Sequence, residues 1–120
     1  MTTFAAARQE AIDGLIADGV RAVAEPFGDP PYVYVTFDGG DPEQVMRGAV
    51  TADYRFVLVG GGWEEAGAAK ELDALRQSVV EWLRDTPGWV VGSIGRDGGR
   101  EWMGATYLTA DVGGSRAIDV

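Results

Sequence analysis

The sequence predicts an α+β fold, with two helices packed on one largely antiparallel, or mixed, four-stranded sheet in the order helix-strand-strand-helix-strand-strand. Three stretches carry that prediction. Residues 68–85 (AAKELDALRQSVVEWLRD) set Leu72, Leu75, Val79, Trp82 and Leu83 at the spacing of one apolar helix stripe. Residues 32–38 (YVYVTFD) alternate Val33, Val35 and Phe37 with Tyr32, Tyr34 and Thr36, the period of a strand. WVVGSI and WMGATYLTADV flank a glycine-bearing joint, residues 95–100, that suits a hairpin. A helix stripe of that width must be buried, and the strands supply the layer that buries it.

In chain order, Thr2 or Thr3 can cap a first helix from Phe4 to about Asp18, with Phe4, Ala5, Ala11, Ile12, Leu15 and Ile16 near one face. Gly14 weakens that helix by about 1 kcal/mol relative to Ala, and Gly19 ends it. VRAVAE, residues 20–25, is a short strand or an extended lead-in. Pro26, Pro30 and Pro31 forbid helix and fix the start of the strand that follows. Residues 38–43 read as a loop, and residues 45–51 as either the start of the next strand or part of a long loop. The connection is then about fifteen residues, longer than most in a compact domain. Residues 54–60 (YRFVLVG) are apolar on both faces, as in a strand covered on both sides. GGGWEEAG leads into the second helix, which Thr86, Pro87 and Gly88 stop. On its outer side Asp73 can pair with Arg76, and Glu81 with Arg84. Gly113 and Gly114 break the last strand and leave a short terminal segment.

At 120 residues the chain has the length of a single domain, 1–120. No apolar run approaches the roughly 18–20 residues that span a bilayer, and no secretory leader is visible at the N-terminus. The charge of −9 is spread over both halves and offers no basic footprint for gripping nucleic acid. Cysteine and histidine are absent. Disulfides, thiolate chemistry, the usual general base and the commonest metal ligand go with them.

The remaining chemistry is thin. A G-x-G-x-x-G frame begun at Gly60 meets Glu65 where its last glycine belongs. A phosphate loop begun at Gly62 reaches Gly67 but continues into Ala68-Ala69 instead of Lys-Ser/Thr. Asp38, Asp41 and Glu43 could ligate a hard cation, but their spacing matches no calcium loop, and a solvated acidic turn accounts for them. Ser78, Ser93 and Ser115 have no histidine to activate them. Hydrolysis by carboxylates alone stays open in principle, yet nothing sets two carboxylates across a cleft. The expectation is a protein that is not an enzyme, with no cofactor and no metal. Of the four tryptophans, Trp82 reads as core and Trp89 and Trp102 as sheet packing. Trp63 sits in a glycine-rich acidic turn, where an interface anchor and a local lid explain it equally well.

The run GVRAVAEPFGDPPYVYVTF, then DYRFVLVGG with KELDALRQSVVEWL, then GWVVGSIGRDGGREWMGATYLTADV resembles the tail-terminator proteins of long-tailed, siphovirus-type bacteriophages, especially those of actinobacterial hosts. The likeness lies in the order and length of elements and spans nearly the whole chain. It implies a structural virion protein of the head–tail junction, assembled in the host cytoplasm. Its subunits would form a homohexameric ring that binds the last ring of the major tail tube protein and stops its polymerisation. The ring would present a face to the head–tail connector or stopper, with duplex DNA passing through unbound and no membrane involved. On that reading the candidate assembly contacts are Asp38, Asp41, Glu43, Met46 and Arg47 of the mid-chain loop, Trp63, and Arg96 and Arg100 of the C-terminal hairpin. The alternatives are another head–tail connector or tail-completion subunit, and a small host α+β binding or regulatory domain.

Overall fold

In the computed structural model, residues 3–26, 29–46, 49–63, 66–102 and 104–119 are described, with the backbone alone at 41–46, 49, 102 and 119. The elements are α1 (Phe4–Ala17), β1 (Ala22–Val23), β2 (Tyr32–Met46), β3 (Ala49–Gly62), α2 (Ala68–Asp85), β4 (Trp89–Ile94), β5 (Gly98–Trp102) and β6 (Ala105–Asp119). The class is α+β, but the expected four-stranded sheet is wrong. Among the described residues six strands form one mixed sheet in the order β1-β2-β3-β6-β4, with β5 also on β6. β1 runs parallel to β2, and the other pairings are antiparallel.

The two additional strands are β1, from the stretch read as a short strand or lead-in, and β5, and three sequence features misled the strand bounds. The mid-chain stretch 38–53 is not a loop, because β2 continues to Met46 and β3 begins at Ala49. Its glycines and Pro42 are absorbed by register shifts, the first at Gly39, whose φ of +101° needs no Cβ. Among the described residues no strand flanks the outer side of β2 at this height, and an edge tolerates proline. Next, WVVGSI does pair antiparallel with the last strand, but almost wholly with residues beyond Asp111, and residues 98–102 leave the expected joint to form a strand of their own. β4 and β5 lie end to end along the same side of β6, β4 opposite residues 112–116 and β5 opposite residues 105–109. Finally, Gly113 and Gly114 do not end β6. They lie inside it, opposite Arg55 and Tyr54, and their missing side chains leave room for neighbours.

Both helices cover one face. Thr3 caps α1, its Oγ1 accepting from the Ala6 N–H at 3.1 Å. The buried side of α1 is Ala7, Ala11, Ile12 and Leu15, while Phe4 and Ile16 are 42% and 53% exposed, so the buried face is rotated from the expected one by about an eighth of a turn. The small Ala7–Ala11 seam lets the helix lie close, and Arg8 pins it by donating to the carbonyls of Val35 (2.7 Å) and Ala24. α2 buries the stripe read from sequence, Leu72, Leu75, Val79, Trp82 and Leu83, together with Ala68. Of its expected outer pairs, Arg76–Asp73 forms at 2.8 Å and is extended to Asp97, but Arg84 turns to Asp85 and Glu81 accepts from Gln77.

Beneath the helices, Val33, Val35, Tyr54, Phe56, Leu58, Ala110, Val112 and Ile118 complete the core. Glycines set how closely α2 can approach. A Cβ on Gly60 would fall 2.7 Å from the carbonyl oxygen of Ala68, and one on Gly114 2.7 Å from Leu83. Gly60 is the floor on which the first turn of α2 rests.

Candidate assembly surfaces

The candidate contact residues fall on three regions. The first is the helix-free face of the sheet. Asp38 stands midway along β2 and pairs with Arg55 of β3 at 2.9 Å, both half-exposed. Next to it on β3, Asp53 accepts a hydrogen bond from Ser115 of β6 at 2.6 Å. Toward the other end, the Arg100 guanidinium donates to the Tyr34 hydroxyl at 3.3 Å, reaching from β5 across β6 and β3. These two side chains arch over the strands between them. Val57, Val59 and Thr109 are buried on this face, which carries no helix. Tyr32 is buried there too. Burial raises its phenol above the ordinary value of 10.0, Tyr34 and Tyr107 push the same way, and Arg21 opposes them.

Between these two ends runs a shallow channel over β6, a chain of hollows of about 260, 330 and 400 Å³. Its floor is glycine, Gly113 and Gly95 among others, and its rim carries both signs of charge, with Asp38, Asp53 and Asp111 against Arg55, Arg96 and Arg100. Asp38, Arg96 and Arg100, far apart in sequence, thus border one surface. Sequence reasoning missed Asp53, Asp111 and Arg55. The alternation of 53–57 and 109–113 could have revealed them had the register of β3 on β6 been known. Among the described residues no group of three or more acidic side chains is arranged to hold a metal ion.

The second region is the exposed Trp63 at the end of β3. Its amide donates to Thr106 at 2.8 Å, and its ring lies where a Cβ on Gly99 would be, 2.8 Å from the nearest ring carbon. Trp63 is 53% exposed. It is a half-open lid on the β5–β6 hairpin, and it does not share the surface of Asp38 and Arg100. No family model matches the chain, and no curated protein matches it.

The third region is the pair of sheet edges. β1 covers only Val33 and Tyr34, so from Phe37 onward the outer side of β2 has no neighbour among the described residues. β4 forms the far edge, with Val90 64% and Ile94 57% exposed. Phe37, 49% exposed, stacks edge-on against Phe4 at 5.3 Å and opens an apolar strip beside the β2 edge. The backbone strand of β2 carries Asp41, Glu43 and Met46 along that edge, but their side chains, and all of Arg47, lie outside the described residues.

Proposed function

We propose that this chain is a ring-forming structural subunit of a phage head–tail junction, a tail terminator that caps the tail tube, stops its growth and joins the tail to the head connector. The element order motivates the reading, and the absence of histidine and cysteine accords with it. The observation that carries it is the sheet itself. Its helices occupy one face, and its two uncovered edges lie on opposite sides. Different patches on opposite sides make head-to-tail contacts, and these close into rings when the rotation allows. An exposed edge without such a use is a liability that proteins usually blunt. The acidic surface suits a lumen through which DNA slides without being gripped. The resemblance brings the subunit number, six.

Native mass measurement and negative-stain imaging, with and without the tube protein, test this reading. Rings with a hole wide enough for duplex DNA, or capped tubes of defined length, are expected. A strictly monomeric protein that leaves tube growth unaffected would overturn it. Trp63 is the sharpest single-residue part of the proposal. Trp63→Ala should weaken tube capping while leaving the fold intact, since the ring is half in solvent.

A further inference from the structure

We propose that the subunits join by antiparallel pairing of β4 of one copy with the free edge of β2 in the next, making one continuous sheet around the assembly. This rests on the reading that the chain forms a ring. Strand direction supplies the first argument. β2, β3, β6 and β4 alternate in sense, so β4 runs opposite to β2. A neighbour placed by rotation about an axis along the strands keeps its own directions and therefore offers β4 an antiparallel partner, the better-bonded geometry.

Height supplies the second argument. Reading across the ladder, Val90 faces Ser115, Ser115 faces Asp53, and Asp53 lies between the partners of Phe37 and Gly40. Trp89 to Val91 of the β4 edge thus stand level with residues 37–40 of β2, just beyond the Val35 carbonyl that Arg8 occupies, and a ring with no rise per subunit needs this match. The side chains supply the third. β4 (WVVGSI) contains no charged residue and no proline, the usual protections of an exposed edge. On the helix-bearing side, Phe37 of the neighbour would meet the partly buried Val91. On the helix-free side, its Asp38 would stand beside Val90.

Cysteine is absent from the native chain, so introduced thiols report without background. Val90→Cys and Asp38→Cys are both surface changes, and adjacent antiparallel strands bring such positions within reach of a disulfide or a short bis-thiol reagent. Co-expressed single variants should cross-link to each other but not to themselves. The double variant should give a ladder of covalent oligomers longer than a dimer. Val90→Lys should abolish assembly at concentrations where the parent assembles. Self-linking of Val90→Cys alone would mean edge-to-edge twofold pairing and overturn the proposal. Rings without the mixed cross-link would overturn it and leave the ring reading standing. Neither rings nor cross-links, with tube protein present, would overturn both.

Discussion

Gly14 lies mid-helix, where its free backbone costs about 1 kcal/mol, because Trp82 occupies the place its side chain would take. A Cβ there would come 2.2 Å from the indole nitrogen and 2.6 and 2.8 Å from two ring carbons. The rigid ring cannot yield as a leucine tip can. Gly14→Ala, which gains helix propensity, is therefore expected to lose about 1–2 kcal/mol net from overpacking, measured by urea unfolding; equal or greater stability would refute the contact. Glu10 is a second residue whose role depends on distant partners. Its carboxylate accepts from the Trp89 indole at 2.5 Å and from two Arg116 nitrogens at 3.1 and 3.2 Å, tying α1 to β4 and β6. Because Glu10 is 40% exposed, Glu10→Gln should cost only about 1 kcal/mol, visible in the same unfolding curves.

Tyr54 gives a pH dependence of defined sign. Burial raises its phenol, Arg8 and Arg116 pull it back in part, and its hydroxyl donates to the Phe4 carbonyl at 2.7 Å. The neutral form is the one the fold holds. Its contribution is fully present below the unfolded value of 10.0, and it is lost as pH rises through the higher folded value. Tyr32 acts in the same direction. Stability should therefore fall above pH 10, and Tyr54→Phe should flatten that fall. An unchanged slope in the variant would contradict the assignment.

At the scale of elements, α2 was readable in full because its stripe, its outer polar face and its Thr-Pro-Gly stop all agree. β2 was readable only in its first half. Tyr32 to Phe37 alternate as a strand, but Asp38-Gly39-Gly40-Asp41-Pro42 has the composition of a turn. Nothing local reveals that β3 runs alongside and holds it extended. The same is true of Gly113 and Gly114, which read as breakers but lie inside β6, where the Ser93 hydroxyl and the tip of Leu83 fill the space of their missing side chains. Of the candidate contacts, the exposure of Trp63 was legible from its setting. That Asp38 and Arg100 border one surface was not, since the order of strands is a long-range property. The floor under α2 also makes a prediction. Gly60→Ala must move the backbone of the first turn of α2, so it is expected to destabilise by about 1–3 kcal/mol and to weaken hydrogen-exchange protection in residues 68–72 before the rest of α2. Uniform loss along the helix would mean that the contact is not local.

For the whole molecule, the principal extents of 49 × 25 × 21 Å describe an elongated body whose length is set by the long strands β2, β3 and β6. A body with a charge of −9 repels its copies at low ionic strength, where fields reach about 30 Å, and much less at physiological salt, where they reach about 8 Å. Self-association should therefore strengthen as salt rises from about 0.01 M to about 0.15 M, read by sedimentation velocity. Weakening over that range would point to contacts held by opposite charges and away from edge pairing.

Phe4, Phe37, Tyr54, Trp89 and Trp82 touch in sequence, with ring centroids 5.3 to 5.7 Å apart. Their excited states cannot be independent. Light absorbed by Tyr54 passes to Trp89 before it can be emitted. The tilted Trp82–Trp89 pair, 60° between planes, should couple as an exciton and leave a paired signal in circular dichroism. One indole comes from α2 and the other from the sheet. That signal therefore gives an optical reading of whether the helix layer is seated, available without any label.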